Sequence, residues 1–279
     1  MRPPEDRHRT LSLRDAEDQV TQRALVTGGA RRIGRAIALY LAGRGFDVAV
    51  HYSGSAAEAA DTVAEIQALG RRAVALQADL LDEAQVQPLV ARAAEALEGS
   101  LTVLVNNASI FEYDNLASAT RTSWDRHMES NLRAPFVLTQ HVAAQAPDPV
   151  PDHAGEPVAQ ALVVNMIDQR VLKPTPEFMT YSLAKMGLWA LTRTAAQALA
   201  PRVRVNAIGP GPTLRGGRQS EDHFARQRAS TILARGSNPS DITAAVGFFL
   251  DSPSVTGQLI CTDGGQHLAW KTPDVLGVE

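Results

Sequence analysis

Tyr181 and Lys185 lie four residues apart in the stretch YSLAK. On a helix, this spacing places both side chains on one face. A lysine ammonium beside a phenol favours the phenolate, so we expect Lys185 to lower the pKa of Tyr181 and to make it an effective proton donor near neutral pH. The same spacing also occurs on ordinary amphipathic helices, so the pair alone leaves both interpretations open.

Asp168 is the third candidate for proton transfer. It follows an apolar run at residues 161–164, which predicts a buried strand, and it precedes the helix that carries Tyr181. A partly buried carboxyl group with a raised pKa can hold a proton or pass it on, and its carboxylate can accept hydrogen bonds from amino groups. The alternative is that Asp168 only caps a turn.

A glycine-containing turn follows the first predicted strand, in the stretch TGGARRIG at residues 27–34. Gly28 and Gly34 permit a tight turn and a close approach of a ligand to the backbone, and the N–H groups at the start of the next helix favour a pyrophosphate. The spacing is not GxGxxG, so a plain strand-to-helix turn is the alternative.

Residues at the end of the second predicted strand indicate which nicotinamide cofactor would bind. An acidic residue usually holds the ribose hydroxyls of NADH at this place, but here the chain reads HYSGS, from His51 to Ser55. Arg31 and Arg32 add fork-shaped cationic donors, which suit a phosphate monoester. We therefore expect NADPH rather than NADH. Asp79, after the third strand, is either an adenine contact or an ordinary loop aspartate.

These side chains need a scaffold that brings strand ends together. From residue 23, short β-rich runs alternate with longer alanine-rich helical stretches, which predicts an α/β fold with a doubly wound parallel sheet and helices on both faces. The predicted strands are 24–27, 47–52, 72–77, 102–106, 161–166, 203–208 and 258–262. The predicted helices are 33–44, 56–69, 82–97, 122–145, 180–200 and 240–251, and Asn131 within the fourth is expected to mark a local distortion.

Three stretches do not follow the alternation. Residues 146–160 contain four prolines, which predicts a loop insertion. Residues 210–237 are rich in glycine and charge around a weak helical pattern, as is typical of a mobile loop over a substrate. Residues 1–20 mix charges with little periodicity, which predicts a flexible N-terminal extension before a single domain at 21–279.

The composition excludes several classes of function. The formal net charge of -3 over 279 residues gives no reason to expect nucleic acid or an anionic membrane as a partner. The only cysteine, Cys261, excludes an internal disulfide and a cysteine-rich metal site, and we expect no metal. No apolar run reaches the roughly 20 residues that span a bilayer, and the N-terminus lacks the apolar core of a secretory signal. We expect a cytoplasmic protein.

Six motifs in order make the chain similar to the short-chain dehydrogenase/reductase family over residues 23 to about 268. They are TGGARRIG, NNAS (106–109), Asn131, YSLAK, VRVNAIGPG (203–211) and TGQLICTDGG (256–265). The resemblance implies a single Rossmann-type domain with a parallel seven-stranded sheet, a nicotinamide cofactor, and a Tyr181–Lys185 pair that acts on a carbonyl or imine. It also implies that Asn131 orders a water relay behind the lysine and that the protein is a homotetramer.

The resemblance assigns further residues to the site. The cofactor residues are Gly28, Arg31, Arg32, Ile33, Gly34, His51, Tyr52, Ser53, Ser55, Asp79, Leu80, Asn107, Ala108, Ser109, Tyr181, Lys185, Pro210 and Gly211. The substrate residues are Arg32, Ser109, Phe111, Asp168 and Tyr181, and the catalytic residues are Asp168, Tyr181, Lys185 and Asn131.

Departures from the usual family pattern narrow the resemblance. The family usually has a serine where this chain has Asp168. Pteridine reductases and bacterial dihydromonapterin reductases are similar to this chain in having that aspartate, an arginine at the place of Arg32, and an aromatic residue after NNAS, here Phe111. Their HYxRS stretch carries a phosphate-binding arginine that Gly54 replaces here, which leaves Arg32, His51 and Ser55 for the phosphate.

This resemblance implies NADPH-dependent reduction of the C=N bond of a dihydropterin such as dihydromonapterin or dihydrobiopterin, or of dihydrofolate. Phe111 would stack on one face of the flat ring with the nicotinamide on the other, and Asp168 and Tyr181 would relay a proton to the ring nitrogen. The alternatives are a carbonyl reductase of the 3-oxoacyl or sugar-alcohol type and a cofactor-binding regulator without catalysis.

Overall fold

The structure is a computed structural model, and it describes residues 22–217 and 219–272. The extension predicted for residues 1–20 lies outside the described residues, as do residues 21, 218 and 273–279 of the predicted domain. The strands are β1 (Arg23–Val26), β2 (Asp47–Tyr52), β3 (Ala73–Gln77), β4 (Val103–Asn106), β5 (Val150–Pro151), β6 (Pro157–Val158), β7 (Ala161–Met166), β8 (Val203–Pro210) and β9 (Leu259–Thr262).

The α-helices are α1 (Arg32–Gly43), α2 (Ala56–Ala68), α3 (Glu83–Val86), α4 (Leu89–Ala96), α5 (Arg121–Met128), α6 (Ala134–Gln145), α7 (Met179–Leu199), α8 (Glu221–Ala229) and α9 (Pro239–Asp251). A π-helical turn at Glu129–Arg133 joins α5 to α6, and single 3-10 turns occupy Gln169–Val171 and Gln266–Leu268.

The main sheet has the strand order β3-β2-β1-β4-β7-β8-β9, with every neighbouring pair parallel. This confirms the predicted seven-stranded doubly wound sheet. The chain leaves β1 toward β2 on one side and returns to β4 on the other, so a crevice opens beyond the carboxyl ends of β1 and β4. Ligands of such sheets bind at this crevice.

Side chains alternate between the two faces of the sheet because a strand has a period of two residues. In β1, Ala24 and Val26 pack with α1, α2 and α9, whereas Leu25 packs with α4, α6 and α7. Both faces are therefore covered, which explains why the strands read as continuous apolar runs rather than as alternating ones.

Three predicted elements differ from the structure. The helix predicted at 82–97 is two helices, because Pro88 at the N-cap of α4 has no N–H to continue α3. The helix predicted at 122–145 is interrupted by the π-helical turn, which contains Asn131, as expected of a local distortion. The loop predicted at 146–160 contains the antiparallel β5–β6 pair.

None of the helices within residues 22–217 and 219–272 combines the length and the apolar character needed to cross a membrane. The predicted loop at 210–237 contains a surface helix, α8, with no buried side chain.

Candidate active site

The turn between β1 and α1 is shaped by contacts that only glycine permits. Gly28 has a φ of 62°, in the left-handed region, and a Cβ on Gly34 would collide with the Gly28 carbonyl oxygen. The side-chain amide of Asn107 donates to the carbonyls of Thr27, at 2.9 Å, and Gly28, at 3.2 Å. β4 thus holds the turn that follows β1, and the predicted Asn107 is brought to this turn.

The start of α1 leaves its first N–H groups without a side-chain cap. Arg31 is the N-cap residue in an extended conformation and makes no capping hydrogen bond, and no acidic side chain lies in the first turn. Arg32 has a φ of 55°, which costs a non-glycine residue roughly 1 kcal/mol. An uncapped helix N-terminus beside a glycine turn is suited to bind a phosphate group.

A cleft of about 630 Å³ lies beside this turn. Of the predicted cofactor residues, it is lined by Gly28, Arg31, Arg32, Ile33, Gly34, His51, Tyr52, Ser53, Ser55, Asp79, Leu80, Asn107, Ala108 and Ser109. Four predicted cofactor residues are not among its lining residues: Pro210 and Gly211 lie at the end of β8 on the far side of β7, and Tyr181 and Lys185 lie on α7. Arg126 and Ser130 also line the cleft, and the helical pattern at 122–145 contains no signal that would have identified them.

His51 contacts the backbone in the structure, and the phosphate-binding role expected from the sequence stays a prediction. Its side chain is buried, its Nδ1 accepts from the Gly28 N–H at 3.0 Å, and its Nε2 lies 3.1 Å from the Ala78 carbonyl oxygen. Burial lowers the pKa of His51 to about 4. A neutral ring with both nitrogens bonded to the backbone holds the glycine turn in place and offers no charge to a phosphate.

Arg32 also differs from the expectation. Its guanidinium donates to the carbonyl oxygens of Leu214, at 3.0 Å, and Arg215, at 2.9 Å. It therefore tethers the segment after β8 to the start of α1, instead of pointing freely at a phosphate. The Arg31 guanidinium, by contrast, forms an exposed ion pair with Glu58, at 3.5 Å. Such a pair is weak, so Arg31 can exchange it for a phosphate at little cost.

The three predicted proton-transfer residues come together at the carboxyl end of β7. The Tyr181 hydroxyl donates to Asp168 Oδ2 at 2.9 Å, and the Lys185 ammonium donates to the Met166 carbonyl at 2.8 Å. Lys185 Nζ lies 5.7 Å from the centre of the Tyr181 ring. Asp168 Oδ1 accepts from the Arg170 N–H at 2.9 Å. Asp168 therefore caps a turn, which was the alternative interpretation of this residue from the sequence, and it also accepts a hydrogen bond from Tyr181.

The pKa of Tyr181 shifts in the direction opposite to the one expected. Burial, followed by the nearby Asp168 carboxylate, raises the pKa of Tyr181 well above its ordinary value, while Arg170 and the Ser109 hydroxyl oppose the shift. Burial also raises the pKa of Asp168. Lys185 has its pKa lowered to about 8 by burial, against the attraction of Asp168. The tyrosine is thus a neutral hydroxyl that donates to a carboxylate.

Asn131 ties the π-helical turn to the segment after β4. Its Oδ1 accepts from the Ile110 N–H at 2.9 Å, and its Nδ2 donates to the Ile110 carbonyl at 2.8 Å. The side chain is fully buried. The structure thus gives Asn131 a positioning contact, whereas a water relay behind Lys185 is still only an expectation.

Phe111 lies in an aromatic cluster that the sequence did not reveal. Its ring stacks on Phe178, with centroids 4.2 Å apart and planes at 10°, and meets Tyr181 edge-on at 4.7 Å. One face of Phe111 is therefore covered by Phe178, and the stacking of a substrate ring on its other face stays a prediction. Tyr113 contacts Phe178 edge-on at 5.2 Å, and the Arg170 guanidinium lies 5.1 Å from the Phe178 ring. The only hint of this aromatic cluster in the sequence is the position of Phe178, which comes just before the helix that carries Tyr181.

Residues 22–224 match the short chain dehydrogenase family. The FolM alternative dihydrofolate reductase 1 from Brucella canis, solved with NADP, is 44% identical, with a TM-score of 0.83 over 91% of this chain and 97% of that one. A short chain dehydrogenase from Burkholderia cenocepacia, solved with NADP, is 35% identical, with a TM-score of 0.79 over 88% of this chain and 97% of that one. The 3-oxoacyl-acyl-carrier-protein reductase FabG of Staphylococcus aureus is 34% identical over 90% of this chain and 100% of its own.

Proposed function

Because the chain belongs to the short chain dehydrogenase family, we propose that it is an NADPH-dependent reductase that transfers a hydride to the C=N bond of a dihydropterin. The observation that carries this proposal is the hydrogen bond from the Tyr181 hydroxyl to the Asp168 carboxylate, at 2.9 Å. Dihydromonapterin and dihydrobiopterin are the proposed substrates, with dihydrofolate as a third. We place the reaction in the cytoplasm.

The cleft residues fit an NADPH molecule. The close approach of Gly34 to Gly28 keeps the backbone open where a pyrophosphate would lie, beside the uncapped start of α1. Ser53 and Ser55 follow β2 with no acidic residue beside them, and Arg31 lines the same cleft. These groups suit a ribose phosphate rather than two free ribose hydroxyls. When bound, NADPH supplies the hydride.

The proton for the substrate nitrogen comes from the Tyr181–Asp168 pair. Reduction of an imine adds a hydride to carbon and a proton to nitrogen, just as reduction of a carbonyl adds a proton to oxygen, so one donating hydroxyl group is needed in either case. Burial raises the pKa of both groups, so the pair retains a proton until the substrate nitrogen accepts it. The Lys185 ammonium, held by the Met166 carbonyl, balances the negative charge left on the pair.

The similarity to the Brucella canis dihydrofolate reductase, at 44% identity, supports a pterin-like substrate. The second candidate is a carbonyl reductase, which is favoured by the 34% identity to the 3-oxoacyl reductase and by a Tyr181–Lys185 pair that serves either bond. Asp168 favours the pterin, because its carboxylate can accept hydrogen bonds from amino groups on the ring, which a ketone or an acyl thioester lacks.

An NADPH-oxidation screen tests the proposal. We expect turnover with dihydromonapterin, dihydrobiopterin or dihydrofolate, and at most weak turnover with acetoacetyl thioesters or simple ketones. Asp168→Ser should lower kcat for the pterin by about 100-fold, the usual worth of a general acid or base, and leave NADPH binding within about twofold. Robust thioester reduction without pterin reduction would establish the second candidate instead.

We also propose that the protein is a homotetramer. Phe136 on α6 and Leu183 on α7 are large apolar side chains that stay exposed on helices otherwise packed against the sheet. A second copy of the chain that packs against these two helices would remove both side chains from water.

A further inference from the structure

In the segment from Ser109 to Asp114, which follows β4, exposed and more buried side chains alternate strictly. Ser109, Phe111 and Tyr113 are exposed, whereas Ile110 and Glu112 are half-buried and Asp114 is buried. Among the residues that the structure describes, no strand pairs with this segment, so the alternation does not come from a sheet. It comes from contacts that fix every second residue.

Each inward residue is held by a different partner. Ile110 is held at both backbone groups by Asn131. The Glu112 N–H donates to His127 Nε2 at 3.2 Å. The Asp114 carbonyl accepts from the N–H of Phe178 at 2.7 Å. The outward side chains, including Phe111, are thereby aimed at the cluster around Tyr181.

Asp114 also acts as the N-terminal cap of α7. Phe178, the N-cap residue by position, has a left-handed φ of 55° and makes no side-chain capping bond. Asp114 Oδ1 instead accepts from the Thr180 N–H at 3.1 Å, and its Oδ2 accepts from the Thr180 hydroxyl. A carboxylate from another segment thus holds the first turn of the helix that carries Tyr181.

The hydrogen-bond directions in this cluster are fixed. Thr180 donates its hydroxyl proton to the Asp114 carboxylate, so its oxygen must accept from His127 Nδ1, at 2.7 Å. His127 Nε2 accepts from the backbone, so the ring is neutral with its proton on Nδ1. All three side chains are buried, and the His127 ring also contacts the Tyr181 ring, with centroids 6.0 Å apart.

We propose that Asp114, Thr180 and His127 form a positioning network that fixes the Tyr181 hydroxyl and the Phe111 ring relative to each other. It connects the segment that carries Phe111 to the helix that carries Tyr181 through one shared hydroxyl, that of Thr180. The three residues act through their neighbours, and the proposal rests on the catalytic role of Tyr181 given above. A displacement of about 1 Å at a reacting group can cost about 100-fold in rate, so a loose network would slow the reaction without removing a reacting group.

Substitution of Thr180 tests the network. Thr180→Val keeps the shape of the side chain and removes its hydrogen bonds, whereas Thr180→Ser keeps the hydroxyl and serves as the matched control. We expect Thr180→Val to lower kcat with dihydrobiopterin by about 10- to 100-fold and Thr180→Ser to stay within about threefold, with NADPH affinity within about twofold for both. A purely structural role would lower NADPH affinity and kcat together.

Hydrogen exchange gives a second readout that needs no substrate. Thr180→Val should speed amide exchange in residues 108–116 and 178–183 together, and Thr180→Ser should not. Equal kcat for the two variants, or faster exchange in only one of the two segments, would overturn the proposal. Tyr181→Phe is measured in parallel: if it retains full activity, the proposed function has failed, whereas an inactive Tyr181→Phe beside an active Thr180→Val counts against the network alone.

Discussion

At the scale of single residues, the unusual feature is a carboxyl group that performs two tasks. Asp168 Oδ1 accepts a hydrogen bond from the Arg170 N–H, and Oδ2 accepts one from the Tyr181 hydroxyl. The hydrogen bond from the Arg170 N–H fixes the orientation of the carboxyl group, so that Oδ2 is the oxygen that contacts the Tyr181 hydroxyl. A serine at this place would have one oxygen for both tasks.

Lys185 gives the site a defined pH dependence. A lysine is charged below its pKa, and burial lowers that of Lys185 to about 8, so the ammonium is present at neutral pH and is lost as the pH rises through about 8. We therefore expect kcat/KM, measured at limiting NADPH, to fall across this range, since it reports groups of the unliganded enzyme.

Lys173→Met is the control for this profile, because it removes a surface lysine that donates to the Ala269 carbonyl. It should leave the alkaline limb unchanged. A profile that stays flat up to about pH 10, close to the ordinary pKa of lysine, would show that Lys185 is not the titrating group.

At the scale of secondary-structure elements, the sequence predicted the sheet better than the loops. Continuous apolar runs identify buried parallel strands directly, and all seven were predicted to within a few residues. The YSLAK spacing likewise placed Tyr181 and Lys185 correctly on one helix. The break at Pro88 was readable in principle, whereas the β5–β6 pair was not, since short strands among prolines resemble a loop.

The contacts at the site that the sequence did not reveal share one cause. The roles expected for His51, Arg32 and Phe111 assumed that each side chain was free to meet a ligand. Each is instead bonded or stacked against a segment distant in sequence: Gly28 and Ala78, residues 214–215, and Phe178, respectively. Such partners depend on tertiary packing, which local periodicity does not encode.

The contact between α1 and the segment after β8 leads to a prediction about cofactor retention. Arg32 donates to the carbonyls of Leu214 and Arg215, so Arg32→Ala should free this segment and weaken NADPH binding by about 10-fold, the worth of a charged hydrogen bond. Fluorescence titration with NADPH measures the affinity, and limited proteolysis measures how readily the segment after β8 is cleaved.

Arg35→Ala is the matched control, because Arg35 lies on the same helix and pairs with Glu65 instead. The tether is refuted if both variants lose equal affinity, or if cleavage near residues 212–217 is unchanged in Arg32→Ala.

At the scale of the whole molecule, the exposed apolar side chains on α6 and α7 bear on assembly. Leu183 is 42% exposed on a helix whose other face is buried. If these helices form the tetramer contact, Leu183→Glu should release smaller species, because it places a charge in an apolar interface.

Light scattering coupled to size exclusion measures the mass of the assembly. Leu116→Glu is the control, since Leu116 is 82% exposed on a loop and its substitution should leave the mass unchanged. A wild-type mass of one chain would contradict the proposed tetramer.

The alternation from Ser109 to Asp114 separates two kinds of position in one short stretch. Residues 110, 112 and 114 are bound to the framework, and residues 109, 111 and 113 present their side chains outward. Substitutions at the outward positions therefore leave those framework bonds in place, much as the side chains of a recognition loop vary on a constant backbone. This stretch is where evolution or an engineer could change substrate preference while the bonds that hold the first turn of α7 stay intact.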